Sequence, residues 1–186
     1  MKTLELPPQK YLKECFDYED GNLIWKERPR SHFASNNAHG TFNTRFAGTV
    51  AGNVSTYQNG KTYGKISLGL RIYRTHRLIW AWFHGSESIS DLEVDHIDGD
   101  GTNNKIENLR AVTSLENKRN AKRRSDNKTG ISGVDHYRNN WRSRIKYKGK
   151  YVDTRYTKDF FEACCRRKSL ELKYNFHPNH GTDRAL

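Results

Sequence analysis

The sequence predicts an α+β protein built from small modules, and three observations carry that reading. Only 34% of the 186 residues are hydrophobic and the mean hydropathy is -1.00, too little apolar material for one large core. Short apolar runs alternate with Gly, Asn and Asp clusters, so strands and short helices succeed one another along the chain. The aromatic content of 12% argues against disorder, because disordered chains are poor in aromatics.

The first 70 residues read as a small α+β lead-in. Tyr11, Leu12, Cys15 and Phe16 fall at helical spacing after Pro8, a proline placed where a helix start tolerates it. Gly21-Asn22 turns into a strand at Leu23–Trp25, and residues 27–47, rich in Arg, Asn, Ser and Gly, read as a long loop. Asn59-Gly60 is a hairpin signal flanked by Val54–Tyr57 and Tyr63–Leu68. Ile72–His76 follows as a strand, then Leu78–Phe83 as a short buried helix stopped near Gly85.

A strand–loop–strand–helix pattern comes next. Leu92–Ile97 and Leu109–Val112 are the strands, with a turn-rich loop over Asp98–Asn104. Thr113 and Glu116 match a capping box, so a helix is expected to begin there with Asn117 in its first turn. Residues 117–130 are basic with little to bury and read as a helix end running into an extended linker. Gly133–Tyr137, Trp141–Lys148 and Tyr151–Tyr156 are three short strands, and Thr157 caps a helix to about Tyr174 with Phe160, Ala163 and Cys164 toward the sheet. The expected boundaries are 1–75 for an α+β region with DNA contacts, 76–120 for the motif region, 121–130 for the basic linker and 131–186 for the closing module.

Charge divides the chain. Residues 1–117 hold 14 Lys+Arg against 14 Asp+Glu, whereas residues 118–186 hold 19 against 7 and so carry the whole net +12. A neutral body joined to a cationic region suggests chemistry in one part and nucleic-acid affinity in the other. A fragment of residues 1–117 is accordingly expected to lose most DNA affinity and salt dependence. Cys15, Cys164 and Cys165 make neither a disulfide framework nor a Cys-x-x-Cys zinc site. No signal peptide and no apolar run near the roughly 18 residues of a membrane span occurs, so a soluble intracellular protein with no membrane partner is expected.

The central pattern places Asp95-His96, Asn108 and Asn117 in order. Asp95 can ligate a hard divalent cation, Mg²⁺ or Mn²⁺, and Asn117 can add an amide oxygen, giving one ion per site. Phosphate oxygens, the leaving O3′ and water would complete the sphere. Neutral His96, an imidazole, suits a general base at neutral pH, and Asn108 can hold the loop. The turn formers Asp98-Gly99, Asp100-Gly101 and Asn103-Asn104 can equally do no more than shape a loop, and His96 can equally be a satisfied structural histidine.

Val94 to Asp100, Asn103-Asn104, Glu107-Asn108-Leu109-Arg110 and Glu116-Asn117 resemble the HNH endonucleases, in particular the phage intron-associated homing nucleases. His76-Arg77-Leu78 and Gly21–Lys26 belong to the same likeness. Residues 130–176, through Gly130–Val134, Trp141–Ile145 and the closing helix, resemble the Apetala-type DNA-binding module. The resemblance implies a ββα-metal nuclease core over about 92–120, with His96 the base, Asn108 the central structural Asn and Asp95 and Asn117 the metal ligands. Asn117 replaces the commoner terminal His, which weakens any Zn²⁺ or Ni²⁺ reading. The role of His76 stays open between phosphate contact and packing. A phage-encoded chain would act in the cytoplasm of its bacterial host.

On Trp141–Lys148, the period-2 rule sets Arg142, Arg144, Lys146 and Lys148 on one face as a groove-reading ladder. Lys122, Arg123, Arg124 and Lys128 of the linker, with Lys118 and Arg119, are expected to track phosphates or lie in the minor groove. The commitment is a metal-dependent, site-selective endonuclease on double-stranded DNA, nicking or cutting both strands, monomer or homodimer, without a small-molecule cofactor. The alternative is a catalytically inactive HNH-like DNA-binding protein acting as regulator or recombination accessory.

Overall fold

Helix α1 (Gln9–Cys15) turns Leu12 and Cys15 inward and ends one residue sooner than the apolar spacing suggests. Phe16 instead opens strand β1 (Phe16–Glu19), which pairs antiparallel with β2 (Asn22–Trp25). Asp20 and Gly21 between them both have positive φ, the backbone a two-residue hairpin requires. The computed structural model describes residues 4–58, 60–121 and 123–182, and it divides into two compact units between Thr113 and Ser114.

The stretch expected as a loop at 27–47 contains a short 3-10 turn at Arg30–His32 and helix α2 (Asn36–Phe46). The Ser35 hydroxyl caps α2 by accepting from the Ala38 amide at 3.1 Å. No α2 residue is fully buried, and only Phe42 and Phe46, one turn apart, pack against the core, so the apolar stripe by which a sequence reveals a helix is thin. Strands β3 (Asn53–Thr56), β4 (Thr62–Leu68) and β5 (Arg71–Arg74) then form an antiparallel sheet in the order β3-β4-β5. Asn59 of the expected Asn59-Gly60 turn lies outside the described residues. Strand β5 stops at Arg74, and His76 lies in helix α3 (Thr75–His84) rather than on a strand. Gly85, at φ 85, closes α3 in a conformation that L side chains rarely adopt. Strands β6 (Glu93–His96) and β7 (Leu109–Val112) complete the unit as an antiparallel pair. Leu12, Phe16, Leu23, Ile66, Leu78, Ile79, Val94 and Leu109 share one apolar cluster, so the lead-in and the motif strands pack on the same core.

The second unit begins with α4 (Ser114–Arg119) and continues through β8 (Val134–Tyr137), β9 (Asn140–Ser143), β10 (Ile145–Tyr147), β11 (Lys150–Asp153) and β12 (Tyr156–Thr157) to α5 (Phe160–Lys173). Two of the expected strands are each broken in two. The result is a three-stranded sheet, β12-β9-β8, beside a two-stranded one, β10-β11. The first break falls at Arg144. Its amide still donates to the Gly133 carbonyl at 2.8 Å, in register with β8, but its carbonyl accepts from Arg167 Nη1 at 2.6 Å, which ends the pairing there.

Asp159, not Thr157, caps α5, its Oδ1 accepting from the Phe161 and Glu162 amides at 2.7 and 3.2 Å. The buried side of α5 is Ala163, Arg167 and Glu171, while Cys164 is half-buried. The stretch expected as an extended linker is tied to the segment after α5. His177 donates to the Arg119 carbonyl at 3.3 Å, Gly181 to that of Ala121 at 2.9 Å, and Arg123 to that of Thr182 at 3.2 Å. No helix among the described residues is long and apolar enough to cross a membrane.

Candidate nuclease site

The antiparallel register sets Asp95 opposite Arg110 and His96 opposite Leu109. Strand alternation turns Val94 and His96 into the core and puts Asp95 on the other face. There Arg110 donates to Asp95 Oδ2 from Nε at 3.2 Å and from Nη2 at 2.9 Å. The ladder therefore separates the two adjacent motif residues. Asn117 lies in α4, in the second unit.

His96 is 4% exposed and its Nε2 lies 3.0 Å from Asn104 Oδ1. The Asn104 amide is oriented by its own Nδ2, which donates to the Thr102 carbonyl at 3.2 Å. Since Oδ1 only accepts, Nε2 carries the proton, and in the neutral ring Nδ1 carries the lone pair. The amide that sets this tautomer belongs to Asn103-Asn104, a pair whose sequence signal reads only as a turn.

Asn108 fastens the intervening loop. Its Oδ1 accepts from the Asp98 amide at 3.1 Å, and its Nδ2 donates to Asp98 Oδ1 at 3.0 Å and to the Asn103 carbonyl at 2.8 Å. Burial pushes the Asp98 carboxyl upward, but bonds from the Asp100 amide, Asn103 and Asn108 outweigh it and hold it below its ordinary value. Gly101 lets this loop lie on β4, since a Cβ there would collide with the Thr62 carbonyl; Gly64 makes room for α3, since its Cβ would sit 2.6 Å from Thr75 Oγ1.

His76, reached from α3, meets His96 edge-to-face with ring centroids 4.7 Å apart, and Tyr63 lies 5.9 and 6.2 Å from the two rings. Burial above all, then His96, Arg74 and Arg77, hold the His76 imidazole well below 6.5, and its buried Nδ1 has no hydrogen-bond partner among the described residues. Sequence reasoning missed Asn104, Asp98 and Tyr63 as members of this cluster. Arg110 could have been found, because pairing the two strands across the loop sets it opposite Asp95.

The basic residues expected on one ladder fall on two sheets. Arg142, in β9, holds Asp135 through Nε and Nη2 at 3.0 and 2.5 Å, and Arg144 Nη2 approaches the same carboxylate at 3.4 Å. Lys146 is exposed on β10 and Lys148 sits at φ 47 in the turn before Gly149. Arg124 pairs with Asp126 at 2.8 Å, while Arg123 and Lys128 belong to the fastened segment, and Lys122 lies outside the described residues.

An HNH endonuclease family model matches residues 73–119. The matched HNH stretch contains His76, Asp95-His96, Asn108 and Asn117, and the substrate it implies is DNA. No curated protein and no solved structure matches the chain. Among the described residues no group of three or more His, Cys, Asp or Glu is arranged to hold a metal ion. A single carboxylate with a single amide is a different donor set, all oxygen, whose chemistry fits a hard cation that keeps water and phosphate in its remaining positions.

Proposed function

We propose that the chain is a metal-dependent, site-selective DNA endonuclease of the homing type, its HNH stretch catalytic and its second unit an Apetala-type DNA-binding module. The observation that carries this reading is the placement of His96 inside the matched domain with its Nε2 3.0 Å from Asn104 Oδ1, a contact that favours the neutral ring with its lone pair on Nδ1. A base in that form takes a proton from water as the water oxygen bonds to phosphorus and the O3′ bond breaks. Asp95 and Asn117 would hold one Mg²⁺ or Mn²⁺, which when bound neutralises charge on the phosphate and the leaving oxygen. Arg110 orients Asp95, and Asn108 keeps the loop that follows His96 in one conformation.

A second reading, a DNA-binding protein without cleavage, draws support from the deep burial of His96 and the pairing of Asp95 with Arg110. Incubation of supercoiled plasmid bearing candidate target DNA with Mg²⁺, with Mn²⁺ and with EDTA separates the two. Metal-dependent open-circle or linear product is expected. His96→Ala should cut about 10²–10⁴-fold more slowly while DNA affinity holds, the usual scale for losing a general base; Asp95→Ala should abolish cutting in the same way. A tight gel shift with no cleavage in any metal would establish the second reading instead.

A further inference from the structure

Asn104 touches His96 and Asn108 fastens the loop after it, yet the chain between these two amides is held from elsewhere. Ile106–Asn108 is a single 3-10 turn, and its N-cap, Lys105, supplies no side-chain bond. The Ile106 amide opens that turn and has no acceptor within it, as at any helix start. It donates instead to the Tyr18 hydroxyl at 3.0 Å, across 88 positions of sequence to β1.

Two more contacts come from the same hairpin. Asp20 Oδ1 pairs with Lys105 Nζ at 2.7 Å. Gly21, at φ 87, lies so near the loop that a Cβ on it would sit 3.1 Å from the Lys105 nitrogen and 3.3 Å from the Asn104 carbonyl carbon. Residues 104–106 are therefore met in turn by Gly21, Asp20 and Tyr18. The ion pair is exposed at both ends and worth little. The Tyr18 bond matters more, because losing it strands a half-buried amide.

The hairpin is itself firmly held. β1 pairs with β2 from Phe16↔Trp25 to Glu19↔Asn22, and Phe16, Leu23 and Trp25 are buried in the core. The Tyr18 ring packs on Phe83 and Trp82 of α3, with centroids 4.9 and 6.2 Å away, and Trp82 Nε1 donates to the Phe16 carbonyl at 3.0 Å. The same helix carries His76.

We infer that the β1-β2 hairpin braces the loop of the candidate nuclease site, and that Tyr18 is a positioning residue that holds Asn104 against His96. The inference deepens the endonuclease reading and rests on it for what His96 does. Tyr18 acts through the backbone. Slackening at Ile106 lets the Asn104 amide drift, and His96 Nε2 then loses the acceptor that favours its proton. The lone pair no longer stays on Nδ1, so a smaller share of molecules holds the base in its working form.

The test is Tyr18→Phe in the full chain, which removes the hydroxyl and keeps the ring packing. Tyr11→Phe is the control, since it also removes a lead-in hydroxyl, one that accepts from Arg28 Nη2 at 2.8 Å. The first readout is the pair of ¹⁵N signals of the His96 ring, recorded without metal or DNA at mildly alkaline pH, where an imidazole is neutral. Tyr18→Phe should move them toward a mixture of the two tautomers, and Tyr11→Phe should leave them in place. Lys105→Gln, a surface change, should move them the same way by less, and it decides the matter should Tyr18→Phe unfold. The second readout is plasmid cleavage, expected to slow by roughly 10–100-fold in kcat with KM unchanged, the scale of a misplacement of up to about 1 Å. His96 signals that stay at their wild-type positions in folded Tyr18→Phe and in Lys105→Gln overturn the inference, as does an equal change in Tyr11→Phe. Moved signals in a protein that cuts no plasmid sink the endonuclease and leave the brace standing.

Discussion

The two units dispose of their carboxylates in opposite ways. Between residues 118 and 182 the acidic side chains are fasteners. Asp126, Asp135, Asp153, Glu162 and Glu171 each hold an Arg, and Asp159 caps α5. The first unit instead keeps its acids out of residues 28–86 and builds its core from an apolar cluster. A cationic face results in both cases, by neutralisation within the fold in one and by segregation in the other. Net charge per segment reveals the first kind of surface and conceals the second.

Breaking one fastener and one apolar contact should show how independent the units are. Arg167 and Glu171 are 4% and 7% exposed, joined at 2.8 Å, and Arg167 also anchors the Arg144 carbonyl. Arg167→Ala strands the Glu171 carboxylate with Lys168 as its remaining ion-pair partner, an expected loss of about 3–5 kcal/mol. Leu78→Ala empties a fully buried site in the first unit and should cost about 2–5 kcal/mol. Hydrogen exchange followed peptide by peptide should show each substitution loosening its own unit. Joint loss of protection in both would refute the separation.

Legibility from sequence follows the same division. The strands around Asp95-His96 were readable because period-2 alternation and turn dipeptides coincide there, and the observed β6 and β7 fall within the expected spans. Helix α2 was not readable, since it buries no residue completely and shows only the Ser35 cap. The break at Arg144 was hidden for a different reason. It depends on Arg167, a contact distant in sequence that no local pattern encodes. At the site, residue types and order were legible. The tautomer-setting bond from Asn104 and the ring contact with His76 were not, because both need the third dimension.

Acid sharpens the comparison, because each unit holds a histidine whose neutral form is favoured, buried His76 in the first and half-buried His180 in the second. In the second unit burial, aided by Arg167 and Lys168 against Glu171 and the Arg119 carbonyl, lowers His180 to about 4 from an ordinary 6.5. As pH falls from about 6.5 to about 4, the unfolded chain takes up this proton before the folded one does, so stability is lost across that window. His76 acts in the same direction in the first unit. His180→Gln keeps an acceptor for Arg167 Nη2 but does not titrate, and it should flatten the pH slope of unfolding for the second unit only. A slope unchanged by this substitution, measured by denaturant unfolding at a series of pH values, would assign the acid sensitivity to other groups.

The smallest expected effect lies in the helix caps, and it asks whether a helix is held by its packing or by its ends. Asp159 satisfies two amides of α5, a helix whose inner side carries the buried Ala163, Arg167 and Glu171. Its loss in Asp159→Ala should cost about 1 kcal/mol and be shared by the whole unit, since α5 cannot fray without exposing those residues. Ser35 satisfies one amide of α2, which buries none of its residues completely. Ser35→Ala should therefore cost about 0.5 kcal/mol and appear as faster exchange of the α2 amides alone, because a helix with only a partly buried face can open while its neighbours stay folded. Should Ser35→Ala lower protection throughout the first unit, then Phe42 and Phe46, which α2 sets against the apolar cluster, are bound into the core more firmly than their partial burial suggests.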